Sequence, residues 1–140
     1  MNDDTRALRA AFVGVVRQFG LLETDRTPCG QPLAVSHAHA LTELLDAQPL
    51  RQGELGQRLG LTKSGTSRMV AQLERKGWIN RAPDAVDGRV WSLQLTEAGE
   101  RLAGRTLTAS LARFDAILIA IDPERRRDVV AALELLRGAL

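Results

Sequence analysis

The stretch that decides how this chain is read is Leu59-Gly60-Leu61-Thr62-Lys63-Ser64-Gly65-Thr66-Ser67-Arg68-Met69-Val70-Ala71-Gln72-Leu73-Glu74-Arg75-Lys76-Gly77. Gly60 suits the C-terminal cap of a short helix running from about Arg51 to Leu59, with Leu55 and Leu59 facing inward. Thr62 suits the N-cap of a second helix whose inward positions are Thr66, Met69, Val70 and Leu73, closed by Gly77. Only the Leu59–Thr62 turn joins them, which is short enough to hold the helices at a steep angle, and Gly56 lets the first approach the second closely. The opposite face of the second helix carries Lys63, Ser64, Gly65, Ser67, Arg68 and Gln72. Hydroxyls and a guanidinium on the N-terminal half of a helix are what the edges and phosphates of a DNA major groove require.

Working outward, Trp78-Ile79-Asn80-Arg81 reads as a strand, Pro83-Asp84-Ala85-Val86-Asp87-Gly88 as turn chemistry, and Arg89 to Leu95 as a second strand. Thr96 opens a long helix with Leu102, Thr106, Ser110, Phe114, Ile117 and Ile121 on one side. Asp122-Pro123-Glu124 is an N-cap, a first-turn proline and a first-turn acid, so a last helix starts there, carrying Val129, Val130, Leu133, Leu136 and Leu140. On the other flank, Leu8, Phe12, Val15, Val16 and Phe19 form a helical stripe that stops at Gly20. Leu21 to Val35, with Pro28, Gly30 and Pro32, is a loop. Ser36 is expected to cap a helix bearing Leu41, Leu44 and Leu45, which Pro49 ends. The expected fold is mainly α with a small β-hairpin wing. A winged helix-turn-helix over residues 36–95 is flanked by a helix and loop at 1–35 and by helices at 96–140.

The chain has 140 residues, enough for one domain with its own core. Its 19 basic and 17 acidic residues leave a net charge of +2, but the charge is segregated. From Arg51 to Leu95 there are 8 basic and 4 acidic side chains (+4), against 11 and 13 (−2) on the flanks. That asymmetry points the centre toward a polyanion. Seventeen of the basic residues are arginine, whose fork suits phosphate and guanine edges, although a GC-rich genome gives the same bias. Tyrosine is absent and aromatics are 4%, which argues against a base-stacking single-strand binder. One cysteine, Cys29, excludes an intrachain disulfide. No apolar run is long enough to cross a bilayer and the N-terminus is acidic where a signal peptide would be basic, so a cytoplasmic protein without a membrane partner is expected.

Several segments together resemble the MarR family of bacterial transcription regulators. They are Leu55-Gly56-Gln57-Arg58-Leu59-Gly60-Leu61, Val70-Ala71-Gln72-Leu73-Glu74-Arg75-Lys76-Gly77-Trp78-Ile79, Asp87-Gly88-Arg89 and Leu95-Thr96-Glu97-Ala98-Gly99. The resemblance implies that the second helix reads the major groove, that Arg89 reaches the minor groove, and that Asp87 braces the loop carrying it. It also implies a homodimer built from the first and last two helices, a small-molecule effector and a pseudo-palindromic operator held in repression. The strongly apolar terminal stripes independently call for more burial than one small lobe offers. The chain departs from the pattern at Gly65, at Thr66, and in its long Leu21–Val35 loop.

The DNA-binding residues expected on these grounds are Thr62, Lys63, Ser64, Ser67, Arg68, Gln72, Arg81, Asp87 and Arg89. Arg89 has a plainer reading as an ion-pair partner of Asp84 or Asp87, and Arg81, Arg75 and Lys76 as phosphate contacts or solvated charges. Cys29 is a candidate redox sensor with Arg26 nearby, or an incidental thiol. His37 and His39 with Cys29 invite zinc, but residues two apart on a helix diverge by about 200° and do not converge on one ion. Gly60 to Ser67 mimics a phosphate-binding loop without its lysine at the required position, which is Thr66, so no nucleotide chemistry, metal or other cofactor is expected. The chain is not expected to be an enzyme; a thiol peroxidase around Cys29 lacks a local partner residue. The alternative from another class is a winged-helix protein-interaction module that never touches DNA.

Overall fold

A computed structural model describes residues 2–140. Among these residues, six helices and three short strands follow in the order α1 (Asp3–Phe19), α2 (Val35–Ala47), β1 (Leu50–Arg51), α3 (Gln52–Arg58), α4 (Lys63–Arg75), β2 (Ile79–Pro83), β3 (Trp91–Leu95), α5 (Glu97–Ile119) and α6 (Arg126–Gly138). A 3-10 turn at Pro123–Arg125 leads into α6, with Asp122 accepting the Glu124 amide. The helix stops expected at Gly20, Gly60 and Gly77 all carry positive φ (94°, 66° and 75°), the left-handed conformation in which a side chain would clash.

The core is central. Leu41 and Leu44 of α2, Leu55 of α3, Val70 and Leu73 of α4, Ile79 of β2 and Leu93 of β3 are fully buried. α2 also packs along α5, and Leu102 and Ala103 of α5 complete the same cluster. The strands form one antiparallel sheet in the order β1-β3-β2, with Leu50 opposite Leu93 and Ile79 opposite Leu95.

Four local expectations need correction. α2 begins at Val35 with Ala34 as its N-cap, not at Ser36, because Leu33 must turn into the core and the Ala38 amide already bonds the Ala34 carbonyl at 3.0 Å. Arg51 belongs to β1, which pairs with β3 and turns the expected hairpin into a three-stranded sheet. Pro83 ends β2 opposite Trp91 instead of opening the turn; β2 is an edge strand, where a missing amide is tolerated. β3 in turn starts at Trp91 and not at Arg89, which stays in the loop.

Close approach of α3 to α4 depends on Gly56. A Cβ built there would collide with the hydroxyl and methyl of Thr66, which is buried and donates to the Thr62 carbonyl at 2.8 Å.

Candidate nucleic-acid interface

Thr62 caps α4 by accepting the Gly65 amide at 3.0 Å. Its cap fixes the helix end that carries Lys63, Ser64, Ser67, Arg68 and Gln72, all exposed on the side away from Met69, Val70 and Leu73. This end of the helix has free backbone amides and partial positive charge, a setting that favours phosphate oxygens.

The wing is held by two aspartates. Asp84 Oδ2 accepts the amides of Val86 and Asp87 at 3.1 Å each and Nη2 of Arg51 at 2.9 Å. The Asp87 amide and then the Arg51 guanidinium hold the Asp84 carboxyl below the usual carboxylate range. Asp87 receives Nε and Nη2 of Arg89 at 3.0 and 3.2 Å together with the Arg89 amide, and those bonds lower its pKa as well. Arg89 thus has the ion-pair partner of its plainer reading, Asp87, yet its side chain is 91% exposed. The carboxylate aims the guanidinium into solvent.

Two of the expected contacts are engaged within the protein. Arg81 makes a two-point pair with Glu74 at 3.1 Å on each side and lies over the Trp91 ring, 4.8 Å from its centroid. That ties the end of α4 to both long strands and leaves little of the Arg81 fork free. Gln72 Oε1 lies 3.0 Å from His37 Nε2 on α2, and the imidazole stands edge-on to Trp78. Local sequence gave no hint of these contacts, nor of the Arg51–Asp84 bridge, since the His37 and Arg51 partners lie 35 and 33 positions away.

A concave site lies between α1, α2 and α5. It is a cavity of about 340 Å³, lined by Phe19 of α1, Cys29 of the loop, His39 of α2 and Thr106, Arg113 and Phe114 of α5. Arg113 donates to the Pro28 carbonyl at 3.3 Å and sits over the Phe19 ring. Cys29 Sγ is 3.0 Å from Thr27 Oγ1. Among the described residues, no three His, Cys, Asp or Glu side chains cluster as a metal site would require, and no helix is long and apolar enough to cross a membrane.

Comparison with known proteins places this geometry. The MarR family model matches residues 31–90. An uncharacterised helix-turn-helix-type transcriptional regulator of Bacillus cereus (strain ZK / E33L) is 35% identical over 80 residues, covering 57% of this chain and 52% of that protein. The chain thus spans about half the length of these Bacillus relatives. A helix-turn-helix-type transcriptional regulator of Mycobacterium tuberculosis (strain CDC 1551 / Oshkosh) is 31% identical over 102 residues, 73% of this chain and 70% of that one. Among solved structures, Streptococcus pneumoniae FabT in complex with DNA superposes with a TM-score of 0.75 at 21% identity, over 96% of this chain and 92% of that one. The PcaV transcriptional regulator of Streptomyces coelicolor in complex with its natural ligand does so with a TM-score of 0.67 at 21% identity, over 96% and 89%. At such identity the structural matches establish the winged-helix fold. The mycobacterial relative and the family model take the step from fold to descent: the chain belongs to the MarR family of helix-turn-helix transcription regulators, a family of DNA-binding proteins and not of enzymes.

Proposed function

We propose that this protein is a cytoplasmic repressor that binds a pseudo-palindromic operator as a homodimer and is modulated by a small molecule. The observation that carries the DNA reading is the pairing of an exposed, capped α4 with an Arg89 that is largely exposed yet held by Asp87. In this reading Thr62, Lys63 and Ser64 meet phosphate at the start of α4. Ser67 and Arg68 meet base edges, joined by Gln72 through its amide nitrogen while its Oε1 is held by His37, and Arg89 enters the neighbouring minor groove with Asp87 behind it. Arg81 acts mainly by fixing the wing to α4 through Glu74. FabT, of the same fold, has been captured on DNA, which supports this assignment.

The homodimer reading rests on the bare apolar faces of α1, the end of α5 and α6, which offer no buried residue in α1 or α6. Two copies would set their α4 helices about 34–36 Å apart, one turn of DNA. The cavity beneath α2 and α5 falls in the size range of about 300–1,000 Å³ typical of ligand pockets and lies between the α1 arm and the DNA-facing lobe. A molecule filling it would alter the spacing of the reading helices. That PcaV was solved with its natural ligand supports an effector of this kind.

Fluorescence anisotropy on the duplex upstream of the protein's own gene tests the reading. Binding should fall steeply with salt, and Arg89→Ala and Arg68→Ala should each weaken it about ten- to a hundredfold. If both variants bind as the wild type does at physiological salt, the mechanism is wrong. Absence of salt-dependent binding to any duplex would point to a protein-interaction module instead.

A further inference from the structure

Arg51 occupies an unusual place. It is the N-cap residue of α3, with extended backbone (φ −67°, ψ 145°), yet its side chain has no acceptor and caps nothing. Instead the guanidinium crosses 33 positions to the wing, where Nη2 meets Asp84 Oδ2 at 2.9 Å. That oxygen also accepts the Val86 and Asp87 amides, so one atom closes the wing turn and anchors it to the helix-turn-helix. The Asp84 side chain is only 14% exposed. Two residues past the turn's first bonds, Asp87 grips Arg89. At its own end, Arg51 is pinned by strand pairing with Ser92 of β3.

We infer that Arg51 is a positioning residue for DNA binding: a strut that, through Asp84, fixes the wing turn and hence the direction in which Arg89 points. This rests on the DNA-reading function proposed above. The cap of α3 is given up for it, since a threonine or serine in this backbone conformation would bond the helix's first amides. A strut acts through order and not through contact with DNA. Its removal should therefore lower affinity without removing a phosphate from the count.

The decisive variant is Arg51→Thr, which restores a capping side chain to α3 while cutting the bridge; Arg51→Lys keeps a cation within reach of Asp84. Wing order is read in the free protein by hydrogen exchange and 15N relaxation of the Val86, Asp87 and Arg89 amides. Affinity and salt dependence are read on the same duplex as above. In Arg51→Thr the wing amides should exchange faster by about three- to tenfold, and DNA affinity should fall by a similar factor, with the thermal midpoint unchanged or raised. The salt slope should stay near the wild-type value, whereas Arg89→Ala takes one cation out of the groove and lowers it by roughly 0.9. Arg51→Lys should recover most of both losses. Wild-type wing exchange and affinity in Arg51→Thr would overturn the inference, as would a salt slope reduced as in Arg89→Ala, which would make Arg51 a phosphate contact. If the wild type binds no duplex, the DNA reading fails, and the wing amides of the free protein still decide whether Arg51 is a strut.

Discussion

The middle and the two ends of this chain solve the same problem in opposite ways. Helices α2, α3 and α4 and the sheet bury their leucines against one another, and seven large side chains lose essentially all contact with water. α1 and α6 are just as amphipathic by sequence but bury no residue at all: Phe12 is 47% exposed, Leu133 56% and Leu135 79%. Along α5 the change occurs within one helix, from buried Leu102, Ala103 and Thr106 to Leu111 and Ile119 at 61% and 70% exposure. The difference teaches that the helix-turn-helix lobe is complete within one chain, whereas the arms present a face whose apolar area has no partner within it.

The largest expected effect breaks the arms and spares the middle. Phe12→Glu combined with Leu133→Glu places two charges on the bare face, and burying them unpaired in a dimer would cost several kcal/mol, at least about 3. Sedimentation equilibrium should show a dimer for the wild type and a monomer for the variant. The variant should also lose more than about a hundredfold in affinity for a two-half-site duplex, as avidity is removed. A variant that remains dimeric would show that the copies meet elsewhere.

The middle should break at its glycines, and with a sign that helix propensity alone gets wrong. Ala normally stabilises a helix interior by about 0.5–1 kcal/mol over Gly. At Gly99 of α5, however, a Cβ would strike the Trp78 carbonyl, the same group that accepts the Thr96 amide at 3.0 Å. Backbone is in the way, so Gly99→Ala should destabilise by about 3 kcal/mol in urea unfolding. At Gly56 the obstacle is the Thr66 side chain, which yields more readily. Gly56→Ala should lose about 1–2 kcal/mol, and adding Thr66→Ala should return most of that. A stabilising Gly99→Ala would mean that α5 slides on the sheet, and that the lobe is looser than its burial implies.

What was legible in the sequence follows the same division between local and distant causes. Thr62, Gly60, Gly77 and Thr96 act within three or four residues, so the bounds of α4 and the start of α5 could be read directly. The close approach at Gly56 was legible too, because only a glycine on that face permits it. By contrast, Arg51 carries no strand signal of its own; it is β only because β3 lies beside it. Phe114 follows the inward stripe of α5 but is 53% exposed, since the stripe continues past the end of the core into the arm. On the proposed DNA face, exposure of Lys63, Ser67, Arg68 and Arg89 followed from helical period and turn chemistry. The capture of Arg81 by Glu74 and of Gln72 by His37 joins elements whose distance in space the chain does not announce.

The smallest expected effect separates the wing from both arms and core by its response to acid. Asp84 is held below the ordinary range first by the Asp87 amide and then by Arg51; Asp87 is held there by the Arg89 side chain and amide. A carboxylate whose pKa is lowered on folding stabilises the structure above its unfolded value, near 3.9, and that contribution fades as pH falls through the lower folded value. Wing order should therefore be constant from about pH 8 down to about 5 and decline below about 4. Hydrogen exchange or amide shifts of Val86, Asp87 and Arg89 measure this directly. The amides of Leu41, Leu44 and Val70, whose side chains are wholly buried hydrocarbon, should keep their protection to lower pH than the wing does. Loosening of the wing between pH 7 and 5 would contradict a carboxylate clamp, because both aspartates are still ionised there, and would assign control of Arg89 to another group.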